Sequence, residues 1–229
     1  MRPQVITLTT LTNDANGIFQ DQTTSGAATL TLNGALVSSG VAYCYGASSN
    51  LTTHQAQLIA IEGTGNNSGV VATITGTGPG NEVVVEALTL ANSGTATSSY
   101  YFKTVSSITV DGAVTGNIEG GWLSSSTDPA VTLAFKMDYT SAAPILLDVQ
   151  IPSGTLTCTV QYTFNMPQDD YGTVGFDNSA VWEDTDGMAG ISATTPGNLI
   201  AGIQAVRLEV NTWTSGTPTL TANQGRMSY

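Results

Sequence analysis

One phrase recurs through this chain: a Ser-Gly pair, then a strand-like run in which threonine alternates with other residues. It is written "SGAATLTLNG" from Ser25, "SGVVATITG" from Ser68, "SGTATSSYYF" from Ser93, "SGTLTCTVQ" from Ser153 and "SGTPTLTANQG" from Ser215. Glycine supplies turn geometry, and a side-chain period of two places the threonines on one face of a strand. The starting positions are irregularly spaced, whereas a stacked solenoid needs a fixed period. The phrase therefore reads as one local solution reused, an architecture and not a binding code. Pro218 lacks a ladder N–H, so the last copy is expected to begin at a sheet edge, making residues 217–229 a candidate assembly edge.

The rest of the sequence follows the same grammar. "VITLTTL", "GVAYCYG", "AQLIAIEG", "EVVVEALTL", "YYFKTV" and "SITVDG" are short β-branched runs separated by Gly, Ser or Asn clusters. "TGPGNE", between Ile74 and Val83, predicts a hairpin. No stretch of ten or more residues combines a 3.6 period with helix formers. After the polar "SSSTDP" (124–129) the pattern restarts with "AVTLAFKMDY", "PILLDVQI" and "LTCTVQYTF", closing on "GIQAVRLEVNTW". The expectation is an all-β protein of two antiparallel β-sandwich domains, Ig-like or jelly-roll-like, with very little helix. They would span 1–126 and 127–229, the second carrying a long acidic loop over 165–200. Within that loop, "VGFDNSAVW" and "AGISATT" are expected to contribute some pairing.

Hydrophobic residues make up 41% of the 229, enough to build a packed core. Charged residues are only 10%, and the five basic ones (Arg2, Lys103, Lys136, Arg207, Arg226) face seventeen acidic ones, for a net charge of −12. Nucleic-acid binding works through Lys and Arg contacts to phosphate, so a face for DNA, or for an anionic membrane, is not expected. No apolar run approaches the roughly 18 residues of a membrane span, and no signal-peptide pattern opens the chain. The acceptor triplets at Asn50 and Asn66 are accordingly read as chance matches.

Candidates for chemistry are few. His54 is the single histidine; it stands in a polar stretch, and no Gly-x-Ser-x-Gly elbow accompanies it. Cys44 and Cys158 lie in apolar strand patterns and read as small core hydrophobes, though a pairing between them is not decided by sequence. One His and two scattered Cys do not assemble a zinc site. "GTGNNSG" and "GTGPG" lack the lysine and the following helix of a phosphate loop. The acidic loop gathers Asp169, Asp170, Glu183, Asp184 and Asp186 around Trp182. These read first as a solvated loop, with Ca²⁺ or an interface contact as the alternative; a carboxylate pair working on a glycoside is a remoter one. Trp182 and Trp213 would be the stacking residues of a carbohydrate site, or else core anchors. No catalytic residue, cofactor or resident metal is expected.

Two segments carry a resemblance. Residues 69–112 join a strand ending in Thr-Gly-Thr, a Gly turn, a Val/Glu strand and "FKTVSSITV". They resemble a pattern in structural proteins of tailed bacteriophages. The second half is similar to another virion pattern, through "CTVQYTFNMP" (158–167), the loop around Trp182 and "GIQAVRLEVNTWTSGTPTLTANQG" (202–225). Residues 1–24 lie outside it. The resemblance implies a non-enzymatic virion protein, made in the host cytoplasm and assembled as a homo-oligomer in many copies. It would bind the major capsid protein as an exterior decoration or cementing protein, or else neck or tail proteins. A receptor- or carbohydrate-binding β-sandwich module is the competing expectation.

Overall fold

The structure is a computed structural model that describes residues 4–7, 14–44, 55–122, 130–132, 134–165 and 180–225. Among these the chain is all-β, with no α-helix, and every strand pairing is antiparallel. Sheet I runs, in order, Asn92–Thr97, Ala60–Asn66, Ile118–Trp122, Asp14–Gln22. Sheet II runs Val37–Ser38, Val41–Tyr43, Thr104–Val110, Val71–Thr77, Val83–Thr89, with Ala28–Thr29 also on Thr104–Val110. Sheet III runs Gln4–Thr7, Thr219–Gln224, Ile145–Gln150, Thr195–Leu199. Sheet IV runs Glu183–Asp184, Gly154–Thr163, Ala205–Gly216, Ala130–Thr132, Gln55–Gln57, with Phe135–Lys136 also on Ala205–Gly216.

Alternation decides which side of each strand is dry. Sheets I and II close on one core, in which Ile18, Phe19, Ile61 and Trp122 meet Ile74, Val84, Ile108 and Val110. Sheets III and IV close on another, where Ile145, Leu147 and Leu220 meet Leu156, Val160, Val206 and Leu208. The expected antiparallel β-sandwich is the observed architecture. The 124–129 stretch expected to part the halves lies outside the described residues. Backbone pairing links the segments on either side of it. Gln4–Thr7 adds to Thr219–Gln224, and Gln55–Gln57 adds to Ala130–Thr132. Gln57 also exchanges both backbone hydrogen bonds with Phe102, at 3.0 and 2.9 Å.

Those pairings correct one expectation. Thr219–Gln224 is not an edge: Gln4–Thr7 covers one side and Ile145–Gln150 the other. Pro218 sits just before the strand, buried, so it removes no ladder bond and leaves the pairing intact. The proline signal is local, whereas the strand that covers Thr219–Gln224 comes from the far end of the chain.

The recurring phrase acquires a physical role in this frame. Thr77 and Thr104, Thr157 and Thr212, and Thr7 and Thr219 stand directly opposite each other. Their hydroxyls hydrogen-bond across the ladder at 2.6, 2.7 and 3.1 Å, the pairing that stabilises an outward sheet face. Two of the Ser-Gly copies meet: Gly154 is the partner of Gly216, with φ of 119° and 101°. A Cβ at either would fall on the facing backbone, so both positions require glycine. Gly76 serves a close approach instead, because a Cβ there would overlap the Thr104 carbonyl. Replacing it, Gly76→Ala, is expected to lower unfolding free energy by about 1–3 kcal/mol in urea denaturation.

Candidate functional site

Sheet IV has two unlike faces. Cys158, Val160, Val206, Leu208 and Val210 point into the core it shares with sheet III. The alternate residues Thr159, Gln161, Arg207, Glu209 and Asn211 form a polar face, because the strands "CTVQYT" and "AVRLEVN" switch chemistry at every residue. Part of that face is covered. Tyr101 and Trp182 pack with Ala56, Val131, Ala134 and Ala205 in a small apolar cluster above it.

Arg207 is the centre, only 5% exposed. Its guanidinium carbon lies 4.3 Å from the Trp182 ring centroid and 5.5 Å from that of Tyr101, within cation–π range of both. Its Nε donates to Gln161 Oε1 at 2.7 Å. Gln161, directly opposite in the ladder, passes the contact on through Nε2 to Asp184 Oδ1 at 3.1 Å and Glu209 Oε2 at 3.2 Å. Tyr101 donates its hydroxyl to Glu209 Oε1 at 2.8 Å, and Asn211 Nδ2 donates to Glu209 Oε2 at 3.0 Å. Burial pulls the guanidinium down to about 10 against the pull of Tyr101, Glu209 and Asp184. Burial, with Glu209 beside it, pushes the Tyr101 phenol up. The arrangement is a charge-compensated junction. Arg207 is too enclosed to receive a large ligand.

The structure places the sequence candidates as follows. Trp182 is half-buried at this junction, an anchor with one face occupied by Arg207. Glu183–Asp184 forms a short strand on Gly154–Thr163, and Ile191 bridges Cys158, so the acidic loop does supply pairing. Of "VGFDNSAVW", only 180–182 are described, and they carry no strand; Thr195, closing "AGISATT", opens Thr195–Leu199. Glu183 accepts from the Tyr162 hydroxyl at 2.9 Å while Asp184 accepts from Gln161, so neighbouring carboxylates serve opposite faces. Asp186 is exposed. Asp169 and Asp170, like His54 and Asn50, lie outside the described residues. Among those described, no group of three or more His, Cys, Asp or Glu is placed to hold a metal ion. Trp213 packs on the core of sheets III and IV and donates Nε1 to Gly216 O at 2.8 Å, holding the Ser215–Gly216 turn. Asn66 Oδ1 accepts from Ser68 Oγ at 2.9 Å. Cys44 and Cys158 are both free and buried, in different cores. Burial raises both thiols, Cys158 to about 12.

Sequence reasoning missed the fate of the basic residues. Of the three described, Lys103 is 2% exposed and Arg207 5%, which leaves Lys136 as the exposed one. Composition located the charges but not their depth. The alternation in "AVRLEVN" marked Arg207 and Glu209 as one face; it could not show that Tyr101 covers it.

The sheet borders differ sharply in how they are guarded. Asp14–Gln22 and Asn92–Thr97 carry register shifts, Thr195–Leu199 contains Pro196, and Gln4–Thr7 is four residues long. These are the usual devices against edge-to-edge association. Val83–Thr89 has no bulge, proline or lysine: seven residues, "VVVEALT", in unbroken register with Val71–Thr77, its one charge being Glu86. On its outward side Val83 is 77% and Val85 54% exposed. Glu86 turns inward, accepting from the backbone N–H groups of Ser99 and Tyr100 at 2.6 and 3.0 Å.

No family model matches this sequence, and no curated protein matches it.

Three outcomes follow from this geometry. Arg207→Met is expected to cost about 3–5 kcal/mol, since it leaves the buried Gln161 and the half-buried Glu209 without their cation. A double-mutant cycle with Trp182→Leu, read by chemical denaturation, should return about 1 kcal/mol of coupling. Both thiols should resist iodoacetamide at pH 8 in the folded protein and react once it is unfolded, as the thiolate is the reactive form.

Proposed function

We propose that this protein is a non-enzymatic structural component of a bacteriophage particle. In this reading it decorates the exterior of the capsid and ties neighbouring subunits together. The observation that carries the reading is the long, regular border strand Val83–Thr89 with its outward valines. A regular sheet edge with outward valines and no lysine, proline or bulge, restrained only by the single charge of Glu86, is available for pairing with another chain. It suits a protein whose open edge is covered on assembly, by the major capsid protein or by another copy of this chain. The acidic surface supports an exterior position, because burying Lys103 and Arg207 withdraws positive charge that packaged DNA would require. Free, buried thiols are compatible with synthesis in a reducing host cytoplasm. A neck or tail position rests on the same edge. A carbohydrate-binding module draws less support, since Trp182 is engaged by Arg207 and Trp213 by Gly216.

Particles stripped of this protein should rebind it and regain thermal resistance. Val83→Lys with Val85→Lys, placed on the solvent side, should leave the folded spectrum intact and weaken rebinding at least tenfold, about 1.4 kcal/mol. Binding to tail or neck complexes but not to shells would move the protein within the particle. Full rebinding by the lysine variant would remove the edge from the interface.

A further inference from the structure

The hairpin between Val71–Thr77 and Val83–Thr89 carries a second feature that the assembly reading does not use. Its turn is closed by Asn81 N–H to Gly78 O at 3.0 Å and Gly78 N–H to Glu82 O at 2.9 Å. Asn81 takes the left-handed position, φ 69°, a conformation Asn tolerates better than most residues. From that position its side chain reaches Lys103: Nζ donates to Asn81 Oδ1 at 2.8 Å. Both oxygens of the adjacent Glu82 carboxylate are buried, and the carboxylate lies over Gly78, where a Cβ would overlap it. Lys103 is 2% exposed, an unusual depth for lysine. Its backbone is pinned on both sides, by N–H to Thr77 O at 2.6 Å and by its carbonyl accepting from Cys44 N–H at 3.0 Å.

A buried amine, a carboxylate with buried oxygens and an exposed carboxamide, brought together on rigid backbone, are the components of an amide-transfer reaction. We propose that Lys103 and Asn81 form an intramolecular isopeptide bond, with Glu82 as the proton relay. Glu82 accepts a proton from the Lys103 ammonium. The freed Nζ lone pair attacks Asn81 Cγ, forming the new C–N bond and a tetrahedral centre. A proton moves from Nζ to Nδ2, the Cγ–Nδ2 bond breaks as the carbonyl re-forms, and ammonia departs. The ammonia takes up the proton held by Glu82, restoring the carboxylate. An ammonium and a primary amide become a secondary amide and an ammonium ion, so neither oxidant nor co-reactant is needed. Three features favour the step. Proximity replaces a bimolecular encounter. Burial lowers the proton affinity of Lys103, although Glu82 opposes it, and so favours the nucleophilic amine. Asn81 lies at the surface, which lets ammonia escape.

The inference stands apart from the virion reading and is tested on the unmodified full chain. Its intact mass after folding should fall short of the sequence mass by one ammonia, about 17 Da. Fragmentation should yield a branched peptide joining residues 81 and 103. Asn81→Ala, Lys103→Met and Glu82→Gln should each restore the mass expected from sequence. Circular dichroism would establish that the Glu82→Gln chain is folded. A folded, aged wild-type chain at full mass, with linear peptides covering 81 and 103, overturns the proposal. So does an ammonia loss that maps to Asn16–Gly17 or Asn33–Gly34, where an ordinary cyclic imide would form. Persistence of the branched peptide in folded Glu82→Gln overturns the role given to Glu82.

Discussion

A guanidinium that has left water must be compensated, and meeting that requirement organises the junction around sheet IV. Arg207 is held in a strand whose other face is core, so it cannot turn away to solvent. It draws Gln161 and, through it, Asp184 and Glu209 from its own sheet, Trp182 from the acidic loop, and Tyr101 from a segment a hundred residues earlier. The nearby Gln57–Phe102 bridge adds backbone pairing between the same regions. Removing the cation would therefore strand several groups at once.

The surface is the complement of that interior. With two of the three described basic residues buried, what faces solvent includes acidic carboxylates, paired threonines and scattered apolar side chains such as Val83, Val85, Leu146 and Ile200. Threonine pairs satisfy one another across the ladder and leave little for a ligand to grip. Attraction to a partner then falls to backbone edges and apolar side chains, and most borders are guarded against it. The open edge at Val83–Thr89 is preceded directly by the turn that engages Lys103. A covalent link there would fasten the hairpin that presents the edge, so a loaded interface would pull against a bond instead of a turn.

Much of the fold was legible in the residues themselves. Turn glycines and threonine alternation marked the strands, and "TGPGNE" marked its hairpin, because these signals act through backbone geometry and a period of two. The acidic loop's contact with the sheet was legible only in part, as strand-like fragments beside Trp182. Pro218 misled, since its missing N–H is a local fact and the strand that covers Thr219–Gln224 comes from Gln4–Thr7. Lys103 was legible as a charge in "FKTV", but its burial against Asn81 was not. A lysine in an alternating strand looks the same whether its neighbour is water or a turn.

The sequence by itself determined the class of structure: short antiparallel strands, where they turn, which residues share a face, and a chain poor in positive charge. Those properties are set within a few residues by φ preference, β-branching and side-chain alternation. Only the tertiary structure decided which faces are dry, which edges are open, and which polar groups meet. Arg207 with Tyr101, Gly154 with Gly216 and Lys103 with Asn81 are encounters between separated segments. The physical reason is that burial belongs to the packed ensemble of strands, whereas alternation belongs to each strand alone.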